Sequence, residues 1–381
     1  VHNLILYLVI ATALAFDFTN GFHDTANAMA TSIATGAFKP RTAVSVAAVL
    51  NLAGAFLSLS VAATIASGIV TQDLVTLPVI FAGLAGAIIW NVSTWYAGIP
   101  SSSSHALIGG VVGAMLAYKG SAAVQWNGVL SKVLLPAILA IAVAGALATI
   151  ATWLAFRITR GADKGPKDEG FRLAQKGSAS MIALAHGTND AQKTMGIITL
   201  ALIANNTLAP SDPTPTWVIA SCGIAIAGGT FIGGWRIIRT LGKGITDLES
   251  PQGFAAETSS ATTILTSSYL GFPLSTTQVC TSSVVGSGLG AGVAVRWPVF
   301  GRMIVAWILT FPAALGVGAL TFGIQNAIGG NVGVAVTAGL LAAVCLIVFL
   351  LSRRAPVTPA NVNDDWDPTD ELPTAQPADA I

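Results

Sequence analysis

Apolar runs recur along almost the whole chain, at about 4–36, 41–70, 74–98, 131–157, 179–206, 215–240, 255–271, 299–324 and 331–352. A spanning helix needs about 20 predominantly apolar residues. The pattern therefore predicts an all-α membrane protein, a polytopic helical bundle of about ten crossings. Two shorter pieces rich in Gly, Ser and Thr, about 100–118 and 273–291, sit between longer runs. At a rise of about 1.5 Å per residue they are marginal for a full crossing, which predicts broken helices and re-entrant hairpins. The run 4–36 is too long for one span, and its polar stretch from Asp17 to Asp24 predicts a discontinuous helix.

Charge divides the chain further. Arg157, Arg160, Lys164, Lys167, Arg172 and Lys176 gather in a short stretch that the positive-inside rule places in the cytoplasm. Arg236, Arg239 and Lys243 form a second basic cluster, expected on the same side. From Ala355 to Ile381 there is no Lys or Arg but six acidic residues and several prolines, which predicts a disordered tail. The expected organisation is a first transmembrane repeat over 1–156, a basic cytoplasmic loop over 157–178, a second repeat over 179–352 and an acidic tail over 353–381. The first apolar run has no basic flank before it and is expected to be a span, not a cleaved leader.

The word "repeat" rests on self-similarity. Asn20-Gly21-Phe22-His23-Asp24-Thr25-Ala26-Asn27-Ala28-Met29 pairs with His186-Gly187-Thr188-Asn189-Asp190-Ala191-Gln192-Lys193-Thr194-Met195. Tyr96-Ala97-Gly98-Ile99-Pro100-Ser101-Ser102-Ser103-Ser104-His105 pairs with Tyr269-Leu270-Gly271-Phe272-Pro273-Leu274-Ser275-Thr276-Thr277-Gln278, with Gly113 and Gly286 in register behind them. Two motifs repeated in one order point to gene duplication. If an odd number of spans separates the copies, the repeats are inverted, and interrupted helices from both meet near the midplane at a binding site.

Composition sharpens the class. Only 9% of the 381 residues are charged while 53% are hydrophobic, far from a soluble domain. A net charge of +1 gives no affinity for nucleic acid. The three cysteines show no ligand-like spacing, so no metal site or disulfide framework is expected. Asp24, Asp190, Lys193 and Glu257 nevertheless lie inside apolar runs. Each such group costs about 2.5–3.5 kcal/mol at a helix centre, so these residues are expected to line a substrate or ion path. Asp190 and Lys193 stand three residues apart and could also pair with each other. Each Pro-led Ser/Thr element suits a helix start, where proline needs no amide partner and a hydroxyl caps. Exposed amides with hydroxyl donors at two such starts could hold a tetrahedral oxyanion, phosphate or sulfate.

These paired motifs resemble those of the Pit-type inorganic phosphate transporters over about residues 1–352. That family carries two inverted copies of a Gly-x-Asn-Asp-x-x-Asn-Ala-like element, each followed by a Gly-x-Pro-x-Ser-Thr-Thr/Ser-His-like one. Phe171-Arg172, Gln175 and Ser178-Ala179 look like its bacterial low-affinity branch in particular. The resemblance implies a symporter that imports inorganic phosphate by alternating access through the cell membrane, as a lipid-embedded homodimer. Carried over, Ser102, Ser103, Ser104, Ser275, Thr276 and Thr277 would contact phosphate, and Asp24, Asn27, Asn189 and Asp190 would couple and gate. Two departures concern the coupling ion. His23 replaces the Asn before Asp in sodium-coupled members, and Lys193 replaces the later Asn of the second copy, each removing an oxygen ligand for sodium. His23 beside Asp24 could relay a proton, and the Lys193 ammonium could stand in for a bound cation. Glu257, with no acidic match in the first half, could carry a proton or cation or merely bond to neighbouring hydroxyls. The expected co-transported ion is therefore a proton, with sodium the alternative, and no cofactor is expected. A divalent metal such as magnesium could travel with phosphate, as is described for the bacterial branch. A sulfate permease of the same fold is the rival substrate assignment. An intramembrane hydrolase using Ser101–Ser104, His105 and Asp24 would leave the second copy, with Gln278 in place of His105, unexplained, so no enzyme is expected. A passive channel fits duplication less well than alternating access does.

Overall fold

In the computed structural model, residues 2–364 are described, and they form helices throughout. In order these are α1 (His2–Ala34), α2 (Pro40–Gly54), α3 (Ser60–Gly68), α4 (Leu77–Tyr96), α5 (Ser103–Lys119) and α6 (Trp126–Gly128). α6 passes through a π-helical turn, Val129–Leu134, into α7 (Leu135–Ile158). Then follow α8 (Lys164–Ala204), α9 (Thr216–Ile232), α10 (Trp235–Lys243), α11 (Ser250–Tyr269), α12 (Thr276–Ala291), α13 (Trp297–Ile328) and α14 (Gly330–Ser352). Prolines stand in the first turns of α2, α4, α11 and α13, where the missing amide costs nothing.

The hairpin turns expected from the second motif pair are present. α4 and α5 join through Gly98 at φ 66°, α11 and α12 through Gly271 at φ 77°. Only glycine takes that backbone region without strain, which accounts for its place in both motif copies. Other matched glycines set helix contacts. A Cβ on Gly21 would lie 2.3 Å from the Ile226 carbonyl of α9, and one on Gly187 2.2 Å from the Asn51 carbonyl of α2. Another matched pair behaves alike: a Cβ on Gly113 would lie 2.0 Å from Leu315 O of α13, and one on Gly286 2.2 Å from Gly145 O of α7. Two isolated β-bridges, Val70–Val124 and Thr246–Val295, close corresponding loops. The halves also interlock: α7 packs along α12 and α11, while α13 packs along α5 and α4.

Three sequence expectations need correction. α1 is continuous through Asp17 to Asp24, and α8 through His186 to Met195. Helical backbone bonds are internal to the helix, and these polar side chains find partners on neighbouring helices, so no break is needed. The breaks fall elsewhere, between α2 and α3 and in the 68° bend between α9 and α10. The basic stretch over 157–178 is not a loop beyond Asp163; α8 begins at Lys164, with Pro166 tolerated in its first turn. The tail over 353–381 is not wholly disordered. Val362 is buried, the Arg236 guanidinium donates to the Ser352 and Ala355 carbonyls at 3.1 and 2.5 Å, and Arg239 to Asn361 O at 2.6 Å. Residues 365–381 lie outside the described residues.

Five helical stretches among the described residues are long and apolar enough to cross a membrane, six if the bent α9–α10 pair is one span. This is fewer than the predicted ten because α2, α3, α5 and α12 are short and α8 and α11 carry polar motif residues. Large apolar side chains cover the outer faces of α7, α13 and α14, as lipid contact requires. Two buried apolar clusters lie either side of the polar run on α1. One includes Val9, Ala13 and Phe16, the other Ala26, Met29 and Ile33.

Candidate functional site

The centre of the bundle is a buried polar cluster. All thirteen residues singled out from the sequence as binding or coupling candidates are at most 5% exposed. The two Ser/Thr elements start helices in matching geometry. Ser102 caps α5 by accepting from the His105 amide at 3.2 Å, and Ser275 caps α12 by accepting from the Gln278 amide at 3.3 Å. The two starts meet, since the Ser104 hydroxyl donates to the Leu274 carbonyl at 2.8 Å. The Ser103 hydroxyl and the His105 Nε2 make no hydrogen bond within the protein.

The acidic elements close on the same place. Thr276 Oγ1 lies 3.5 Å from Asp24 Oδ2 and 3.3 Å from Asp190 Oδ2, bridging the carboxylates of α1 and α8. Thr277 donates to Asp24 Oδ1 at 3.3 Å. Asn27 donates its amide to Thr276 at 3.2 Å and to Thr277 at 3.0 Å. Asn189 donates to Ser268 Oγ at 2.9 Å and to the Phe272 carbonyl at 3.3 Å, fixing the turn before α12. Asn20 reaches Asp190 Oδ2 at 3.4 Å.

Nitrogen groups sit on both aspartates. His23 Nδ1 is 2.6 Å from Asp24 Oδ1, and its Nε2 meets Thr94 and Ser101 at 3.1 and 3.4 Å. Lys193 Nζ donates to Asp190 Oδ1 at 2.6 Å and to Leu274 O at 2.9 Å, so the pair expected from spacing is formed. His186 adds Nε2 at 3.2 Å from Asp190 Oδ2, its other nitrogen 3.2 Å from Asn51 Oδ1. One ligand atom each from Asp24, His186 and Asp190 falls within 4.8 Å of the others. Two acids and an imidazole so placed could share a small cation or a proton.

Glu257 stands apart from this cluster. Its carboxylate accepts from Thr31 at 2.6 Å, Gln175 at 2.9 Å and Ser178 at 2.5 Å, while Thr35 donates to Gln175 at 2.7 Å. A small cavity has both Asn27 and Glu257 in its wall. Thr31, Thr94, Ser101 and His186 also hold the site's acids and imidazole, though they stand outside the set expected from the sequence. His186 and Ser101 lie inside the motifs, whereas Thr31 and Thr94 look like ordinary helix hydroxyls until their partners are known. The acidic network is thus assembled from α1, α8 and α12, with α4 and the turn before α5 holding His23.

Comparison with known proteins agrees with this architecture. A family model described as "Phosphate transporter family" matches residues 20–318. A Mycobacterium tuberculosis protein named "Probable low-affinity inorganic phosphate transporter" is 56% identical over 365 residues, covering 95% of this chain and 88% of its own. A Bacillus subtilis protein of the same name is 42% identical over 330 residues, covering 85% and 98%. A solved structure named "The sodium-dependent phosphate transporter" superposes with a TM-score of 0.75 at 24% identity, over 85% of this chain and all of that one, and shows the fold alone. These relatives are named as transporters, not enzymes. With its motifs gathered into one buried site, this multi-pass, all-helical membrane protein belongs to the phosphate transporter family.

Proposed function

We propose that the chain is a secondary active transporter that imports inorganic phosphate through the cell membrane, with a proton as the co-transported ion. The observation that carries this reading is the meeting of two capped helix starts, joined by Ser104 and Leu274, against the Asp24–Asp190 cluster. Helix N-termini offer amides and partial positive charge to an oxyanion without an arginine. Ser102, Ser103, Ser104, Ser275, Thr276 and Thr277 add hydroxyls, and the neighbouring carboxylates can accept the proton of hydrogen phosphate, which sulfate lacks near neutrality. The names of the similar proteins support phosphate as the substrate.

Proton coupling rests on what covers the acids. An imidazole on Asp24 and an ammonium on Asp190 occupy positions where sodium would need oxygen ligands. Two inverted repeats rocking about this site would expose it alternately to the two sides, with Asn27, Asn189 and Glu257 adjusting as the acids load. A divalent metal such as magnesium travels with phosphate as cargo. The same reading keeps the functional unit a homodimer and places the residues around 157–178 in the cytoplasm.

The test is phosphate uptake into proteoliposomes with pH and sodium gradients imposed separately, with and without magnesium, and with sulfate as competitor. Accumulation driven by the inward proton gradient alone is expected. Accumulation driven only by sodium overturns the coupling, equal transport of sulfate overturns the selectivity, and uptake indifferent to every gradient indicates a channel.

A further inference from the structure

Where α7 ends and α8 begins, an open pocket of about 580 Å³ lies between these helix ends and the start of α11. Its wall carries four cations, Arg157, Arg160, Lys164 and Lys167, against two acids, Asp168 and Glu249. Among the described residues, none of the four cations forms an ion pair or donates a side-chain hydrogen bond. Two of them lie over aromatic rings of the same wall. The Arg157 guanidinium is 5.4 Å from the centroid of Trp153, and the Lys167 ammonium 4.4 Å from that of Phe156. Glu249 is engaged at the head of α11, in a capping box with Gln252. Asp163, at the N-cap of α8, makes no side-chain capping bond, so the first amides of α8 add partial positive charge. The pocket thus holds an excess of positive charge that the transport site does not use.

What fills it follows from the helix that leads to it. α7 closes the apolar span Trp126–Ile158. Val143, Leu147, Ile150, Leu154 and Ile158 recur along it at helical spacing, and all are exposed. Trp153 stands beside the end of this stripe, half exposed, as aromatic rings do at the level of lipid headgroups. A free anion would leave the stripe without a role. A phospholipid uses both parts, laying an acyl chain along α7 and its phosphate among the cations, as basic pockets between spanning helices allow. We propose that this pocket binds the headgroup of an anionic phospholipid, drawn from the cytoplasmic leaflet by the orientation given above. α8 runs unbroken from Lys164 to the Asp190–Lys193 pair, so the lipid holds the outer end of a helix that carries one of the two central aspartates. The site goes beyond the transport reading and does not depend on the coupling ion.

The test is native mass spectrometry of the full chain in detergent, titrated with phosphatidylglycerol or with phosphatidylcholine. Preference for phosphatidylglycerol is expected, and equal binding of the two lipids overturns the proposal. At about fivefold per basic residue, Arg157→Gln with Arg160→Gln should weaken phosphatidylglycerol binding about thirtyfold. Arg353→Gln with Arg354→Gln removes the same charge at the end of α14 and should leave binding unchanged. Undiminished binding in the first pair, or the same loss in both, overturns the site. Displacement of the lipid by millimolar inorganic phosphate would assign the pocket to the free ion and likewise overturn it. A second readout needs no variant of the basic residues. In liposomes carrying brominated lipid, the fluorescence that separates wild type from Trp153→Phe should be quenched more deeply by brominated phosphatidylglycerol than by brominated phosphatidylcholine. Equal quenching by the two removes the selectivity, and quenching by neither means that protein covers this face; both overturn the proposal.

Discussion

At Lys193 one ammonium holds two elements: Asp190 on its own helix and the Leu274 carbonyl in the turn before α12. Removing one member of a buried ion pair costs about 3–5 kcal/mol, because the other charge is left without compensation. Lys193→Met should therefore destabilise the protein by about that much, and adding Asp190→Asn should recover most of it, as read from denaturation in detergent. A double variant no more stable than the single one would mean the pair is not the source. Lys193→Asn probes the ammonium differently, by restoring an oxygen for sodium. It should introduce a sodium response and weaken phosphate binding; uptake that stays wholly pH-driven with unchanged phosphate affinity would remove the idea of a built-in cation. The caps give a third expectation. Ser102→Ala and Ser275→Ala should each cost about 1 kcal/mol, Ser→Gly only a few tenths, with phosphate KM raised in the alanine variants.

Among the helices, the repeated glycines allow close backbone contacts. A side chain at Gly113 would meet the Leu315 carbonyl and one at Gly286 the Gly145 carbonyl, both backbone atoms of a partner helix. Gly113→Ala and Gly286→Ala should thus lower thermal stability sharply, by several kcal/mol, since overpacking forces the backbone apart. Gly316→Ala, with nothing within 4 Å, is the control and should be neutral or stabilising by up to about 1 kcal/mol. If all three behave alike, close approach does not explain the glycines. What was legible here follows a simple division. The hairpins at Gly98 and Gly271 were readable because turn chemistry is local. The continuity of α1 and α8 was not, because the partners that satisfy Asn20, His23 and Lys193 come from helices distant in sequence.

For the molecule as a whole, the order of two motifs was visible twice in the sequence, but the packing of α7 along α11 and α12, and of α13 along α4 and α5, was not. Nothing local marks that packing, since both are apolar helices whose choice of neighbour depends on shape. The same holds for the chain after α14, whose acidic, proline-containing composition speaks for disorder. Yet Arg239 donates to Asn361 O, Arg236 to Ala355 O, and the Asn363 amide to Ile33 O at 3.4 Å, while Val362 enters the core beside the end of α1. The segment thereby straps α10 to α1. Charged donors to carbonyls contribute about 1.5–3 kcal/mol each, enough to hold ten residues whose own packing is a single valine. Arg236→Ala with Arg239→Ala should release residues 355–364, seen as faster hydrogen exchange and new protease cleavage there, while α14 stays protected. Val362→Asp should do the same from the apolar side. Unaltered protection in both variants would show that the strap is held by something other than these contacts, and that the two basic residues serve the membrane interface alone.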